Sequence, residues 1–249
     1  MKIKSIITAL FLLTGTGIYA NINMTDSALI YYSNSEYEKA LEIYLSFIDD
    51  ELGSDALYYN IGNCYYKLNK IPHAILWYER AKLLNPSNED IYNNLKIANS
   101  RIKDKVEPLP KIFYVQWYND ILKLFNSNTW AWMSFGLFIF LLISLSLFLM
   151  SGSAGIKKIF FTISIIALIF SLLSLLFSVQ QKNNQLYNNN AVVFEYSLVK
   201  SSPSRESTNL FEINEGLKVE VLETLNEWSN IKLEDGKQGW IPSENIIGI

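Results

Sequence analysis

The sequence predicts a multidomain membrane protein with three parts: an all-α array of helical repeats, a two-helix transmembrane hairpin and a small all-β barrel. Three observations carry this prediction. Residues 55–88 form a helical unit with weaker copies on either side. Two long runs, 129–150 and 159–179, contain no charged residue. From residue 191 onward the pattern changes to short apolar alternations, which are typical of strands.

The helical unit at 55–88 combines small and aromatic residues at helical spacing. Gly62 and Ala74 are small where two antiparallel helices are expected to cross, and Pro86 ends the second helix because proline cannot continue one. The unit resembles the tetratricopeptide repeat. The residues that carry the resemblance are Tyr58, Ile61, Gly62, Tyr65, Ala74, Tyr78, Ala81 and Pro86. It implies an array of about two and a half repeats over residues 21–105, with a concave binding groove.

One face of the first helix in this unit is the predicted groove wall. Tyr59, Asn63, Tyr66 and Lys67 lie on the side of the helix away from the seam, where they would grip a segment of a partner protein. The alternative is that they only cover the helix with amphipathic side chains. These residues do not match the Lys/Asn pattern of family members that bind a terminal carboxylate. The sequence therefore does not identify the ligand.

The two uncharged runs are each long enough to cross a bilayer core of ~30 Å at ~1.5 Å per residue. The loop between them, 151–158, holds Lys157 and Lys158 and no acid, which predicts a cytoplasmic position. Residues 1–20 combine early lysines, an apolar stretch and small residues, which is typical of a signal peptide. Both large polar parts are then expected outside the inner membrane, in the bacterial periplasm.

Two connecting segments flank the hairpin. Residues 111–126 are amphipathic, and their closeness to the first span predicts a helix lying on the bilayer surface. The alternative for this helix is packing on the repeat array. Residues 180–190 are polar and are predicted to be a flexible linker.

The C-terminal residues 191–249 contain five short strand-like segments and an Asp235-Gly236 hairpin signal. They resemble a bacterial SH3-type domain, through the segments VKSSPS, NEGLKVEVLE and EWSNIKLEDGKQGWI. The resemblance implies an SH3-like barrel that binds cell-wall peptides or other proteins. Tyr196, Trp228 and Trp240 are the candidate groove residues. The alternative is that these aromatic side chains fill the core of a very small barrel.

Catalytic and metal chemistry find little support in the residue inventory. His73 is the only histidine and Cys64 the only cysteine, so neither a His/Cys metal site nor a nucleophile–histidine pair is assembled easily. We therefore expect a non-enzymatic protein with no metal and no cofactor. Acids outnumber bases in residues 191–249, which argues against nucleic acid as a partner.

The order of the parts as a whole resembles the BatE family of bacterial aerotolerance (Bat) operons. That resemblance implies an inner-membrane component of a multiprotein assembly. Its expected partners are other inner-membrane proteins with von Willebrand A-type domains, and its expected role is in oxygen tolerance or envelope stress. The alternative is a wall-sensing or wall-tethering protein whose barrel binds peptidoglycan.

Overall fold

A computed structural model describes residues 27–48, 53–110 and 112–249. The predicted signal peptide, 1–20, lies outside the described residues. Within them, the structure confirms the predicted fold class: a helical region, two long apolar helices and a C-terminal antiparallel sheet.

Five helices form the repeat array. The first, α1, is helical from residue 27 to 33, and the others have these bounds: α2 Tyr37–Ser46, α3 Asp55–Lys67, α4 Ile71–Leu84 and α5 Glu89–Ser100. Side-chain caps set two of the starts, because Ser54 accepts from the Leu57 amide and Asn88 from the Asp90 and Ile91 amides. No second helix follows α5 directly; residues 104–110 have no regular secondary structure.

The crossing of α3 and α4 is as close as the sequence indicates. A Cβ atom added at Gly62 would lie 2.6 Å from the Tyr78 ring, so a larger side chain does not fit there without displacing a buried tyrosine. Ala74 and Tyr78 are both essentially inaccessible to solvent. The small residues at the crossing therefore allow the aromatic core of the array to close.

Three further helices follow: α6 Phe113–Leu122, α7 Ser127–Met150 and α8 Ala154–Leu186. By length and composition, helices α7 and α8 are each long and apolar enough to cross a membrane. Their large side chains are mostly exposed, as Phe135 and Leu176 illustrate, so they do not form the core of a water-soluble bundle.

Both connections of the hairpin are shorter than the sequence indicates. Helix α8 already begins at Ala154, so Lys157 and Lys158 lie in its first turns rather than in a loop. Helix α8 also continues through Leu186, whereas the sequence predicts a flexible linker over 180–190. Its polar end is stabilised as a helix, since Gln180 donates to Asn184 one turn on, and Gln185 donates to the Leu83 carbonyl of the repeat array at 3.0 Å.

A seam of serines joins α7 to α8. Ser134 Oγ donates to the Ser171 carbonyl at 2.9 Å, and Ser171 Oγ donates back to the Ser134 carbonyl at 3.0 Å. Ser127 and Ser178 repeat this reciprocal arrangement, with both bonds at 3.0 Å. All four residues are at least nine-tenths buried. Small side chains let the two backbones approach closely, and each hydroxyl is satisfied by the opposite helix.

The barrel is a single antiparallel sheet of seven strands in the order β3-β2-β6-β5-β4-β1-β7. The strands are β1 Asn190–Val193, β2 Ser197–Lys200, β3 Asn209–Ile213, β4 Lys218–Leu225, β5 Trp228–Lys232, β6 Gln238–Pro242 and β7 Ile246–Gly248. The prediction of five strands missed β2 and β7. Each of these two strands is at most four residues long and is recognised by its pairing with other strands. Within the described sheet, β7 pairs only with β1, and β2 pairs with β6 at Lys200 and Trp240.

Candidate functional site

An open cavity of about 270 Å³ lies on the repeat array. Its lining includes all four residues of the predicted groove wall, Tyr59, Asn63, Tyr66 and Lys67. Helices α1, α4 and α5 supply the rest of the lining, which sequence reasoning missed: Tyr32, Tyr78, Asn94 and Ile97.

Two of the missed residues could have been found from the repeat period of ~34 residues. Tyr32 stands one period before Tyr66, and Ile97 stands one period after Asn63. Equivalent positions of successive repeats line the same groove, so a groove residue in the best unit marks its counterparts. Tyr78 lies in a second helix, and no spacing rule places it in the groove.

A hydrogen-bond network fixes the polar groups of this cavity. Asn63 Oδ1 accepts from Tyr78 Oη at 2.7 Å and from Asn94 Nδ2 at 2.9 Å. Asn94 Nδ2 also donates to Tyr59 Oη at 2.9 Å. Burial raises the pKa of Tyr78, so its hydroxyl stays protonated and acts as a donor. The network holds Asn63 and Tyr59 in fixed orientations before any ligand arrives.

The groups that remain for a ligand are mainly donors. The Asn63 amide nitrogen has no hydrogen-bond partner among the described residues, because the network uses only the oxygen of that side chain. The exposed Lys67 adds a cation. Beyond Tyr66, the Arg101 guanidinium lies 5.4 Å from the ring centroid and donates to Asn69 Oδ1 at 2.6 Å. The cavity is therefore aromatic, with donors and positive charge on its wall and rim.

The three candidate residues of the barrel do not form one site. Trp228 and Trp240 lie on the outer face of the β5–β6 ladder, where Trp240 is paired with Asn230 and Trp228 with Pro242. Tyr196 lies apart from them, before β2, and donates to Glu212 Oε2 at 2.7 Å.

Trp228 alone of the three lines a second cavity, of about 350 Å³. Its other lining residues are Arg205, Glu227, Pro242, Ser243 and Glu244.

Neither tryptophan belongs to the buried core of the barrel. That core is aliphatic and is made by Ala191, Val193, Val199, Ile213, Leu217, Val219, Ile231, Leu233 and Ile241. Trp228 and Trp240 are half-buried on the surface. The alternative hypothesis, in which these tryptophans fill the core of the barrel, therefore does not match the structure.

The barrel packs directly against the repeat array, which sequence reasoning did not anticipate. Val192 of β1 is fully buried in the same apolar cluster as Ala74 and Ile75 of α4. Around this cluster, Lys218 Nζ lies 2.8 Å from the buried Glu79 carboxylate, and Arg80 donates to the Gly248 carbonyl at 2.7 Å. Apolar burial and paired charges together fix the position of one module on the other.

Residues 101–110, hereafter the strap, reinforce this interface. Ile102 and Val106 pack against the barrel core, and the Leu109 amide donates to the Glu234 carbonyl at 3.0 Å. The Asp104 carboxylate accepts from both the amide and the side chain of Asn214, at 2.6 and 2.8 Å. The strap thus contributes to the barrel core as well as connecting the array to α6.

His73 and Cys64, the side chains best suited to acid–base or nucleophilic chemistry, are both at least partly shielded from solvent. The His73 ring lies 4.8 Å from the rings of Tyr65 and of Phe194, at the interface of the two modules. Burial, with a smaller contribution from Lys70, lowers the pKa of His73. Burial likewise raises the pKa of Cys64 to about 12, so at neutral pH it is an unreactive thiol inside the array. Among the described residues, no group of three or more His, Cys, Asp and Glu side chains is placed to hold a metal.

Comparison with protein families identifies both modules. The tetratricopeptide repeat matches residues 56–88, and the bacterial SH3 domain matches residues 199–247. The comparison with curated proteins finds no match. Domains of both kinds are typically non-catalytic interaction modules, and bacterial SH3 domains include cell-wall binders. The matches leave out β1 and the strap, which the structure shows to be parts of the folded barrel.

Proposed function

We propose that this protein is a non-enzymatic scaffold of the bacterial inner membrane, and that its repeat groove binds a segment of a partner protein. The observation that carries the proposal is the groove itself. It is an open aromatic cavity whose polar groups are fixed in place by the bonds among Tyr59, Asn63, Tyr78 and Asn94. Preorganisation of this kind lowers the cost of ordering side chains on binding.

The partner segment is an extended polypeptide rich in hydrogen-bond acceptors. The Asn63 amide nitrogen and the Lys67 ammonium are suited to backbone carbonyls or carboxylates. The rings of Tyr59 and Tyr66 offer apolar contact at a low entropic cost, because tyrosine has few rotatable bonds. A basic segment is disfavoured, since Lys67 and Arg101 would repel it.

Both modules face the periplasm in this proposal. A hairpin that crosses the membrane twice returns the chain to the side from which it came, and the direct contact between barrel and array requires one shared side. Lys157 and Lys158 lie in the first turns of α8, next to its connection with α7, and favour a cytoplasmic position for that connection.

The partners we propose are other inner-membrane proteins, those with von Willebrand A-type domains first among them, in an assembly that supports aerotolerance or the response to envelope stress. This step rests on the order of the modules, which resembles that of BatE proteins. The direct contact of array and barrel adds that a partner meets them as one surface.

The groove is tested by mild-detergent affinity purification of the tagged full chain from native membranes. We expect specific membrane proteins to co-purify, and to be lost when Tyr59, Asn63 and Tyr66 are all replaced by alanine. The single variant Lys67→Glu should also weaken capture, roughly tenfold if one charged contact of ~1.4 kcal/mol is lost. It leaves the buried network intact, because Lys67 is exposed and outside that network.

The matched control is Tyr92→Ala on α5, whose ring is 57% exposed and which does not line the cavity. It should capture the same proteins as the unaltered chain. Equal capture by the control, the triple variant and Lys67→Glu would show that the groove is not the docking site.

A second candidate function is cell-wall tethering through the barrel, favoured by the cavity at Trp228. It predicts that the full chain in detergent sediments with purified peptidoglycan and that Trp228→Ala abolishes the effect. Sedimentation that Trp228→Ala does not change would argue against this cavity as the wall-binding site.

A further inference from the structure

Helix α6 is strongly amphipathic. At about 100° per residue, Gln116, Asn119 and Asp120 fall within one narrow sector of the helix. The remaining positions are apolar or aromatic and occupy the wider part of the surface: Phe113, Tyr114, Val115, Trp117, Tyr118, Ile121 and Leu122.

The apolar face of α6 is not covered by the protein. Phe113 and Trp117 are 66% and 67% exposed, and Leu122 is the one buried residue of the helix. Large apolar side chains at consecutive helical turns form a patch of the kind that marks contact with a partner or a membrane.

The C-terminal end of α6 is tied to the hairpin. Trp130 Nε1 donates to the Leu122 carbonyl at 3.2 Å. With its amide nitrogen turned toward them, Gln181 donates to the carbonyls of Leu122 and Phe125 at 2.9 Å each. Tyr118 also contacts Phe177 of α8, with ring centroids 5.9 Å apart. Only a short turn separates α6 from α7.

These ties set the level of α6 relative to a bilayer. Gln181 comes just after Val179, the last residue of the uncharged run, and Trp130 is near the start of the other run. Tryptophan side chains are enriched at the polar–apolar boundary of a membrane, and the polar Gln181 lies just outside the uncharged run. A helix fixed there, with an uncovered apolar face, is continuous with the lipid-facing surface of the hairpin.

We infer that α6 lies in the plane of the membrane interface, with Phe113, Trp117 and Ile121 inserted among the lipid acyl chains. The inference rests on the proposed membrane placement of α7 and α8. In this position α6 would hold the strap, and with it the repeat array and barrel, at a fixed height above the bilayer.

The test is spin-label accessibility in the full chain, reconstituted into vesicles of phosphatidylcholine and phosphatidylglycerol. Variants with one added cysteine carry the label on the apolar face, at Phe113→Cys, Trp117→Cys and Ile121→Cys, or on the polar sector, at Gln116→Cys and Asp120→Cys. Because the native Cys64 is buried, the unaltered chain serves as the blank for background labelling. Leu142→Cys on α7 serves as a lipid-exposed reference and Glu206→Cys on the barrel as a water-exposed reference.

We expect collisions with oxygen to be severalfold more frequent on the apolar face than on the polar sector, and collisions with a water-soluble nickel chelate to show the opposite pattern. High nickel accessibility at both faces would overturn the inference in favour of a solvent-exposed helix. Low accessibility to both reagents at the apolar positions would overturn it in favour of a protein partner. If Leu142→Cys itself resembled Glu206→Cys, the membrane placement of the hairpin would fail as well, which separates the two claims.

Discussion

Replacing Gly216 with valine is expected to destabilise the joined modules by about 2 to 4 kcal/mol. Gly216 has a φ of +86°, which side-chain-bearing residues adopt at a cost. A Cβ atom there would lie 2.5 Å from Ile102 Cγ2 of the strap and 3.4 Å from Ile75 Cδ1 of the array. This single substitution therefore strains the backbone of the barrel and creates steric clashes with the strap and with α4, the two elements that pack on it here.

The measurement is the thermal midpoint of the extramembrane modules in the full chain, with hydrogen exchange to locate the change. We expect a fall of about 10 °C or more, and lost protection at the Asn214 amide, which donates to Asp104. Gly248→Ala is the matched control, since no atom lies within 4 Å of a Cβ added there. Adding Ile102→Ala to the Gly216 variant should restore part of the loss. An unchanged midpoint would contradict the docked arrangement.

Replacing both Ser134 and Ser171 with leucine is expected to open the hairpin. The pair loses two reciprocal hydrogen bonds and gains two large side chains at a buried contact between the helices. Lost bonding between membrane helices and overpacking together amount to roughly 3 kcal/mol. Oxidative cross-linking between Ser127→Cys and Ser178→Cys, one heptad away, should slow by about tenfold or more.

A matched pair of substitutions separates the seam from helix composition. Ser146 and Thr162 are exposed, and each bonds only to a carbonyl one turn back in its own helix. Ser146→Leu with Thr162→Leu should leave the cross-linking rate within about twofold of the unaltered pair. If both double variants behaved alike, the serine seam would not be what closes the hairpin.

Much of the architecture could be predicted because its signals are local. The small residues Gly62 and Ala74 fall where the two helices of one repeat unit cross, and each uncharged run is long enough to predict a membrane span by its length alone. The periodicity of one helix likewise places Tyr59, Asn63 and Tyr66 on one face, and the structure brings them into the lining of one cavity. Their counterparts in adjacent repeats could have been predicted by the same period.

What sequence reasoning missed depends on contacts between distant segments. The sequence around Val192 indicates only a strand, yet its side chain is buried against α4 rather than in the barrel core. The strap has no helical or strand period, so nothing in its sequence indicates that Ile102 and Val106 complete the barrel. The polar composition of residues 180–190 predicts a linker, because composition alone does not show that Gln185 donates a hydrogen bond to the array.

In the arrangement that we propose, array and barrel form one body on the outer side of the inner membrane, and the turn between α7 and α8 lies in the cytoplasm. Labelling of one added cysteine at a time with an impermeant maleimide, in cells whose inner membrane is sealed, tests this arrangement. The native Cys64 stays unlabelled because it is buried and its pKa is raised to about 12. We expect rapid labelling of Lys96→Cys on the array and Glu206→Cys on the barrel, and labelling of Ser153→Cys only after the membrane is disrupted. Labelling of Ser153→Cys in sealed cells, or a difference in sidedness between Lys96→Cys and Glu206→Cys, would contradict it.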